Sequence, residues 1–301
     1  MKYRGLEIIE ENGRVMVEGI KDFNLIHIFE CGQCFRWVRQ ADDSFTGVVK
    51  NKVANVKFES GRLFISNSSY EDFQTLWFDY FDLGRDYSEI KLKLSKDKIM
   101  KEAIEFGYGI RILKQDIWET LISFIISANN RIPMIMRAVE VISKVYGSEM
   151  LLDGESYYSF PLLSGLCNST VENLEVCRAG FRCKHIMNTT AMLKEKLIDL
   201  NSLKAMHVDE ARCELTKLAG VGNKVADCTL LFSGTKYEVF PIDLWVKRVM
   251  EELYFKRDAN MKEIQEFAKI NYEEYAGIAQ QYLFYYAREK RIGVKKTNQN
   301  K

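Results

Sequence analysis

The 301-residue chain is 47% hydrophobic and 28% charged, a globular composition with length for about two domains of ~150 residues. Its 43 basic and 42 acidic side chains leave a formal net charge of +1, which excludes a protein that holds nucleic acid by bulk charge alone. Apolar stretches such as 121–128 fall far short of the ~18 residues a membrane span needs, so no membrane partner is expected. The opening Met-Lys-Tyr-Arg-Gly-Leu-Glu-Ile-Ile-Glu is acidic and broken where a secretory signal is continuously apolar, and it predicts an intracellular protein.

Charge and texture change together along the chain. Residues 1–90 carry net −4 and residues 91–301 net +5, the latter due to the basic tail that begins near Tyr286 and is expected to be a solvated, partly disordered end. Between Arg14 and Ile65 the apolar residues alternate in short runs, as in Leu25-Ile26-His27-Ile28-Phe29, Phe45-Thr46-Gly47-Val48-Val49 and 53–58, with turn residues between them. That pattern predicts an antiparallel meander. Beyond about residue 90 it becomes helical. Asp116 is placed to N-cap a helix running to about Ala128, and Pro133 to open another whose face carries Ile135, Val139, Ile142 and Val145. Further helices are expected near 171–178, 185–199, 208–217, 223–232, 244–254, 261–269 and 276–290.

Seven scattered cysteines, with no second Cys-x-x-Cys to answer Cys31/Cys34, predict reduced packing thiols. His27, His185 and His207 are too dispersed for a metal cluster, and neither a metal nor another cofactor is expected.

The segment Leu218-Ala219-Gly220-Val221-Gly222-Asn223-Lys224-Val225-Ala226-Asp227-Cys228 lies between two helical stretches. Two glycines around one apolar residue permit a tight reversal that exposes backbone N–H groups at a helix start, where a phosphate is bound without net positive charge. The same glycines also serve as ordinary connectors. Lys224 falls in the first turn, where the helix dipole disfavours its ammonium form; amine attack on a sugar C1′ would displace a base and leave a Schiff base. Its plainer role is a phosphate contact. Nineteen positions on, Asp243 in Pro241-Ile242-Asp243 is a natural N-cap, and beside Lys224 its carboxylate is suited to stabilising positive charge on the sugar.

Four motifs in order, Gly32-Gln33-Cys34-Phe35-Arg36-Trp37, Ser127-Ala128-Asn129-Asn130, Gly220 to Cys228 with Pro241-Ile242-Asp243, and Ala276 to Phe284, make the chain resemble the helix-hairpin-helix (HhH-GPD) DNA glycosylase superfamily, specifically its 8-oxoguanine DNA glycosylase/AP lyase branch. The resemblance implies an α+β fold, with a TBP-like antiparallel β domain at 1–107, a central helical lobe at 116–223 ending in the hairpin, a C-terminal lobe from 108–115 and 224–291, and a basic tail at 292–301. It implies a monomer acting on double-stranded DNA that contains 8-oxoguanine. Lys224 would be the Schiff-base nucleophile and Asp243 its catalytic partner. Gly32 would offer its carbonyl to N7–H of the flipped base, a hydrogen that guanine lacks. Gln280 would read the Watson–Crick edge, while Cys228 and Phe284 sandwich the ring. Asn129 would fill the vacated space, Phe181 would be the wedge and Arg182 the reader of the opposite base, with Gly220, Val221 and Gly222 gripping the backbone.

Three departures stand out. The second arginine for the opposite cytosine is Met134 here, which predicts weaker preference for cytosine; the wedge is Phe181 rather than the tyrosine of animal relatives, and Trp245 replaces a phosphate-contacting histidine. No cysteine follows Cys228, so the four-cysteine loop of the iron–sulfur branch is absent. The competing readings are a monofunctional alkyl-purine glycosylase, which would leave an intact abasic strand, and a non-catalytic binder of damaged DNA, which would release no base.

Overall fold

The computed structural model describes residues 1–294; most of the tail expected at 292–301 lies outside the described residues. Seven strands form one antiparallel sheet: β1 (Lys2–Tyr3), β2 (Leu6–Glu11), β3 (Arg14–Glu18), β4 (Trp37–Arg39), β5 (Phe45–Val49), β6 (Lys52–Glu59) and β7 (Arg62–Ser66). Their order is β1-β2-β3-β7-β6-β5-β4. This corrects the simple meander, because β3 pairs with β7 and so joins two short meanders. The register sets Val15 opposite Ile65 and Val17 opposite Leu63, all of them fully buried on the inner face.

The run Leu25–Phe29, read as a strand, is a helix (α1). Asn24 caps it by accepting from the His27 amide, and Leu25, Ile28 and Phe29 are buried, a spacing that suits one helical face rather than alternation. The chain then reverses through Cys31-Gly32-Gln33 before β4. Cys31 and Phe35 from this segment join the helical core, whereas Phe29 and Trp37 on either side belong to the core under the sheet. Gly32 therefore sits at the seam between the two.

Helices follow the sheet from Tyr70 onward, among them α2 (Tyr87–Leu94) and α3 (Lys98–Phe106), N-capped by Asp86 and Asp97. After α4 (Ile117–Ser127) and α5 (Ile132–Tyr146) comes a hairpin absent from the sequence reading, β8 (Glu149–Leu152) and β9 (Glu155–Tyr158). The remainder is helical: α6 (Arg182–Lys194), α7 (Val208–Thr216), α8 (Asn223–Phe232), α9 (Leu244–Val249), α10 (Met261–Tyr272) and α11 (Ala276–Lys290). Asp116 caps α4 as expected, accepting from the Glu119 amide. On α5 the apolar face holds Ile135, Val139 and Ile142, but Val145 is exposed, one turn beyond the contact. The helix expected over 244–254 changes winding at Met250, where a π-helical stretch runs to Phe255.

One apolar cluster runs through the helices on both sides of the 217–222 reversal. Within it α8 packs on α4, α9 on α11 and α11 on α3. These contacts converge near Gly32, because Gln281 of α11 donates to the Cys31 carbonyl at 2.7 Å and Gln115 donates to the Gln33 carbonyl at 2.8 Å.

Candidate active site

At the hairpin, Gly220 has φ +77, and a Cβ there would lie 2.7 Å from Cγ of His185. Only glycine fits. Gly222 differs: it is the N-cap of α8 with φ −92, and nothing stands within 4 Å of where its Cβ would be. Among the described residues no side chain caps α8, so its first N–H groups are left without a side-chain partner. Val221 is buried and its N–H donates to the Leu218 carbonyl at 3.2 Å, so its part is to anchor the turn. Gly220→Ala is expected to destabilise the fold by about 1–3 kcal/mol, read as a lower melting temperature. Gly222→Ala is expected to leave the melting temperature nearly unchanged.

Lys224 stands in the first turn of α8 and Cys228 one turn later on the same face. The Lys224 ammonium donates to Oγ of Ser127 at 3.3 Å and lies 5.0 Å from the ring centroid of Phe124. Burial raises the Cys228 thiol to about 12, so it stays protonated and is no rival nucleophile near neutrality. Asp243 caps α9: its Oδ1 accepts from the amides of Trp245 and Val246, both at 2.9 Å, which leaves the second oxygen outside the cap. Burial holds its carboxyl above the usual range, while the Val246 amide and the Lys224 charge pull it partly back.

Gly32 has φ +85, and a Cβ on it would meet Phe284 at 3.1 Å. The backbone there comes close to the aromatic ring because no side chain intervenes. Gln33 fixes this turn by donating to the carbonyls of Ile28 and Arg111 and accepting from the Leu113 amide. Gln280 is 4% exposed, and its Oε1 is buried without a partner among the described residues. Gly32, Lys224, Cys228, Asp243, Gln280 and Phe284 all line one small cavity of about 50 Å³, together with Phe124, Phe232, Pro241 and Gln281.

Four separated segments thus converge on one cavity, and the chain as a whole is similar to proteins of known activity. A family model described as the 8-oxoguanine DNA glycosylase N-terminal domain matches residues 15–121. A probable N-glycosylase/DNA lyase of Methanothermobacter thermautotrophicus is 33% identical over 228 residues, 69% of this chain and 72% of its own. The chain belongs to the 8-oxoguanine DNA glycosylase family. An N-glycosylase/DNA lyase of Arabidopsis thaliana is 29% identical across 85% of this chain and 75% of its own. The crystal structure of Clostridium acetobutylicum 8-oxoguanine glycosylase/lyase, in complex with double-stranded DNA containing cytosine opposite 8-oxoG, superposes with TM-score 0.93 at 44% identity, covering 95% of this chain and 99% of the other.

In this member of the 8-oxoguanine DNA glycosylase family the remaining four expected site residues lie apart from the cavity. Asn129 follows the end of α4, exposed and with φ +50, while Asn130 takes the capping role by donating to the Ile126 carbonyl. Met134 and Phe181 are exposed, at 41% and 64%. Arg182 differs from the free cation expected of a base reader. It is buried and donates to the carbonyls of Ala128, Ala179 and Asn129, so its guanidinium clamps the loop that presents Asn129. Ser127, Phe124, Gln33 and Gln281 are site residues that sequence reasoning did not single out. Their partners are far away in the chain, 97 residues in the case of Ser127 and Lys224.

Proposed function

We infer that the protein is a bifunctional DNA glycosylase/AP lyase that flips 8-oxoguanine out of duplex DNA, excises it through a lysine Schiff base and nicks the strand by β-elimination. The observation that carries the reading is one cavity whose lining brings together an amine, a carboxylate, an amide whose oxygen has no partner among the described residues, an aromatic ring and Gly32. The Lys224 amine attacks C1′ and the C1′–N9 electron pair leaves with the base, which takes up a proton. The amine nitrogen then forms an iminium as the sugar ring opens, and loss of a C2′ proton expels the 3′ phosphate. Asp243 stabilises the positive charge that develops on the sugar. Gly32 accepts N7–H, Gln280 meets the Watson–Crick edge, and Cys228 and Phe284 hold the two faces. Guanine, with a lone pair at N7, meets repulsion there instead.

DNA lies between the lobes at 116–223 and at 108–115 with 224–291, its backbone held by the hairpin and the α8 N-terminus. Asn129 and Phe181 offset the cost of extrusion, and Arg182 supports Asn129 from behind. No described helix is long and apolar enough to cross a membrane; the enzyme works inside the cell, where the DNA is. Borohydride added to the wild-type protein with an 8-oxoguanine duplex is expected to trap a covalent adduct, and release of the base without any adduct would overturn the Schiff-base mechanism.

Opposite-base preference should be relaxed. The exposed Met134 thioether supplies no charge-assisted donor to cytosine O2 or N3. Single-turnover excision opposite each of the four bases is expected to vary little in the wild type, and Met134→Arg is expected to raise the preference for cytosine by about tenfold. A wild type as selective for cytosine as the arginine variant would overturn the inference.

A further inference from the structure

On α11 the spacing of four that brings Gln280 and Phe284 to the cavity repeats once more at Arg288. Two of its three guanidinium nitrogens are tied down: Nη2 donates to the Glu30 carbonyl and Nε to the Glu289 carboxylate at 2.9 Å. The group lies 5.4 Å from the Phe284 ring centroid. These anchors leave Nη1 buried and, among the described residues, without a partner. A Cβ on Gly32 would sit 3.2 Å from that nitrogen, so the donor lies directly beside the glycine whose carbonyl is assigned to the base. Gln280 supplies a second unpartnered atom, its Oε1. One unpartnered acceptor thus lines the cavity and one unpartnered cationic donor stands at its edge, against Gly32 and Phe284. A buried donor or acceptor left unmade is costly, and more so if it is charged, which points to a polar ligand that completes both.

The two orphans lie eight residues apart on one helix, about 12 Å along its axis. A purine whose Watson–Crick edge faces Gln280 turns its five-membered ring, with N7 and C8, toward Arg288. Beside N7–H on that edge stands the C8 oxygen, the atom that distinguishes the lesion. We propose that Arg288 is a specificity-determining residue whose Nη1 donates to the C8 oxygen of the flipped base. Gly32 then reads the added hydrogen of 8-oxoguanine and Arg288 its added oxygen. This rests on the functional reading above.

The test uses the full chain, with Arg288→Ala and Arg288→Lys beside the wild type. Single-turnover excision of 8-oxoguanine by Arg288→Ala is expected to fall by about 10- to 100-fold, the loss of one charge-assisted hydrogen bond, with partial recovery in Arg288→Lys. β-Elimination at a preformed abasic site, which has no base to read, is expected to stay within about threefold of the wild type. In a Lys224→Gln background, Arg288→Ala is expected to weaken binding equally for duplexes carrying 8-oxoguanine and 8-oxoadenine, since both present the C8 oxygen. Loss on 8-oxoguanine alone would assign the contact to O6 and overturn the proposal. Equal loss at the abasic site would make Arg288 a phosphate contact or a structural clamp, and unchanged excision would leave it no role in the base site. A wild type that excises no 8-oxoguanine would instead overturn the functional reading itself.

Discussion

Lys224→Gln is expected to abolish the borohydride-trapped adduct and to slow excision of 8-oxoguanine by about 10³-fold or more. Glutamine nearly matches the length of the lysine stem and keeps a donor for Ser127, whose Oγ the ammonium meets at 3.3 Å, so α8 and the hairpin should stay in place. What is lost is the amine. No other nucleophile replaces it in the cavity: the Cys228 thiol, one turn along the same face, is pushed up to about 12 by burial and is almost wholly protonated at neutral pH. Residual catalysis should come from base binding and Asp243 alone. Undiminished trapping by Lys224→Gln, followed by peptide mapping to another residue, would overturn the assignment.

The position of Lys224 was legible because its signals are local. The glycine pair dictates a reversal, the reversal puts position 224 in the first turn of a helix, and Asp243 announces the next helix start; all three are carried by neighbours in sequence. Gly32, by contrast, was reached only through the family motif. Its chemistry depends on α11 packing against the turn after α1, where Gln281 grips Cys31 across 250 positions. Composition and periodicity carry no trace of that contact.

The misreadings have equally physical causes. Leu25–Phe29 is too short for its period to separate a strand from a helix, and the cap at Asn24 decided it. The β8–β9 hairpin did carry a turn signal, Asp153-Gly154, both residues with positive φ, but it lies inside a region read as wholly helical. For Arg182, assigned to the opposite base by the family resemblance, the sequence itself shows only a cation beside the aromatic Phe181. What sets its role is the set of free carbonyls at the end of α4, 53 and 54 positions away, which a buried guanidinium satisfies. Arg288 escaped notice because α11 is buried on most of its surface, so no face of it stands out in the sequence.

Asp243→Asn should separate the two roles of the residue, the helix cap and the charge. Asparagine is as good an N-cap as aspartate, and its side-chain oxygen can still accept from Trp245 and Val246. Excision is nevertheless expected to fall by about 10²–10³-fold, because the amide carries no charge with which to stabilise the developing oxocarbenium ion. Stability should move the other way. Burial holds the Asp243 carboxyl above its usual value, so the folded state binds the proton more tightly than the unfolded chain does. The favourable contribution of this group is therefore present below the unfolded value of about 3.9 and is lost as the pH rises through the raised folded value. At pH 7 the ionised carboxylate is a net cost that asparagine does not carry, and the variant should melt at a higher temperature than the wild type. The gap should close as the pH falls below about 4, where both side chains are neutral. The same raised value should set the acid limb of the wild-type excision profile above the ordinary carboxylate range, and that limb should vanish in the residual activity of Asp243→Asn. Melting curves and single-turnover rates across this pH range test both expectations. A variant that melts lower than the wild type at pH 7 would show that Asp243 holds the fold through its charge, and full excision by Asp243→Asn would remove it from the chemistry.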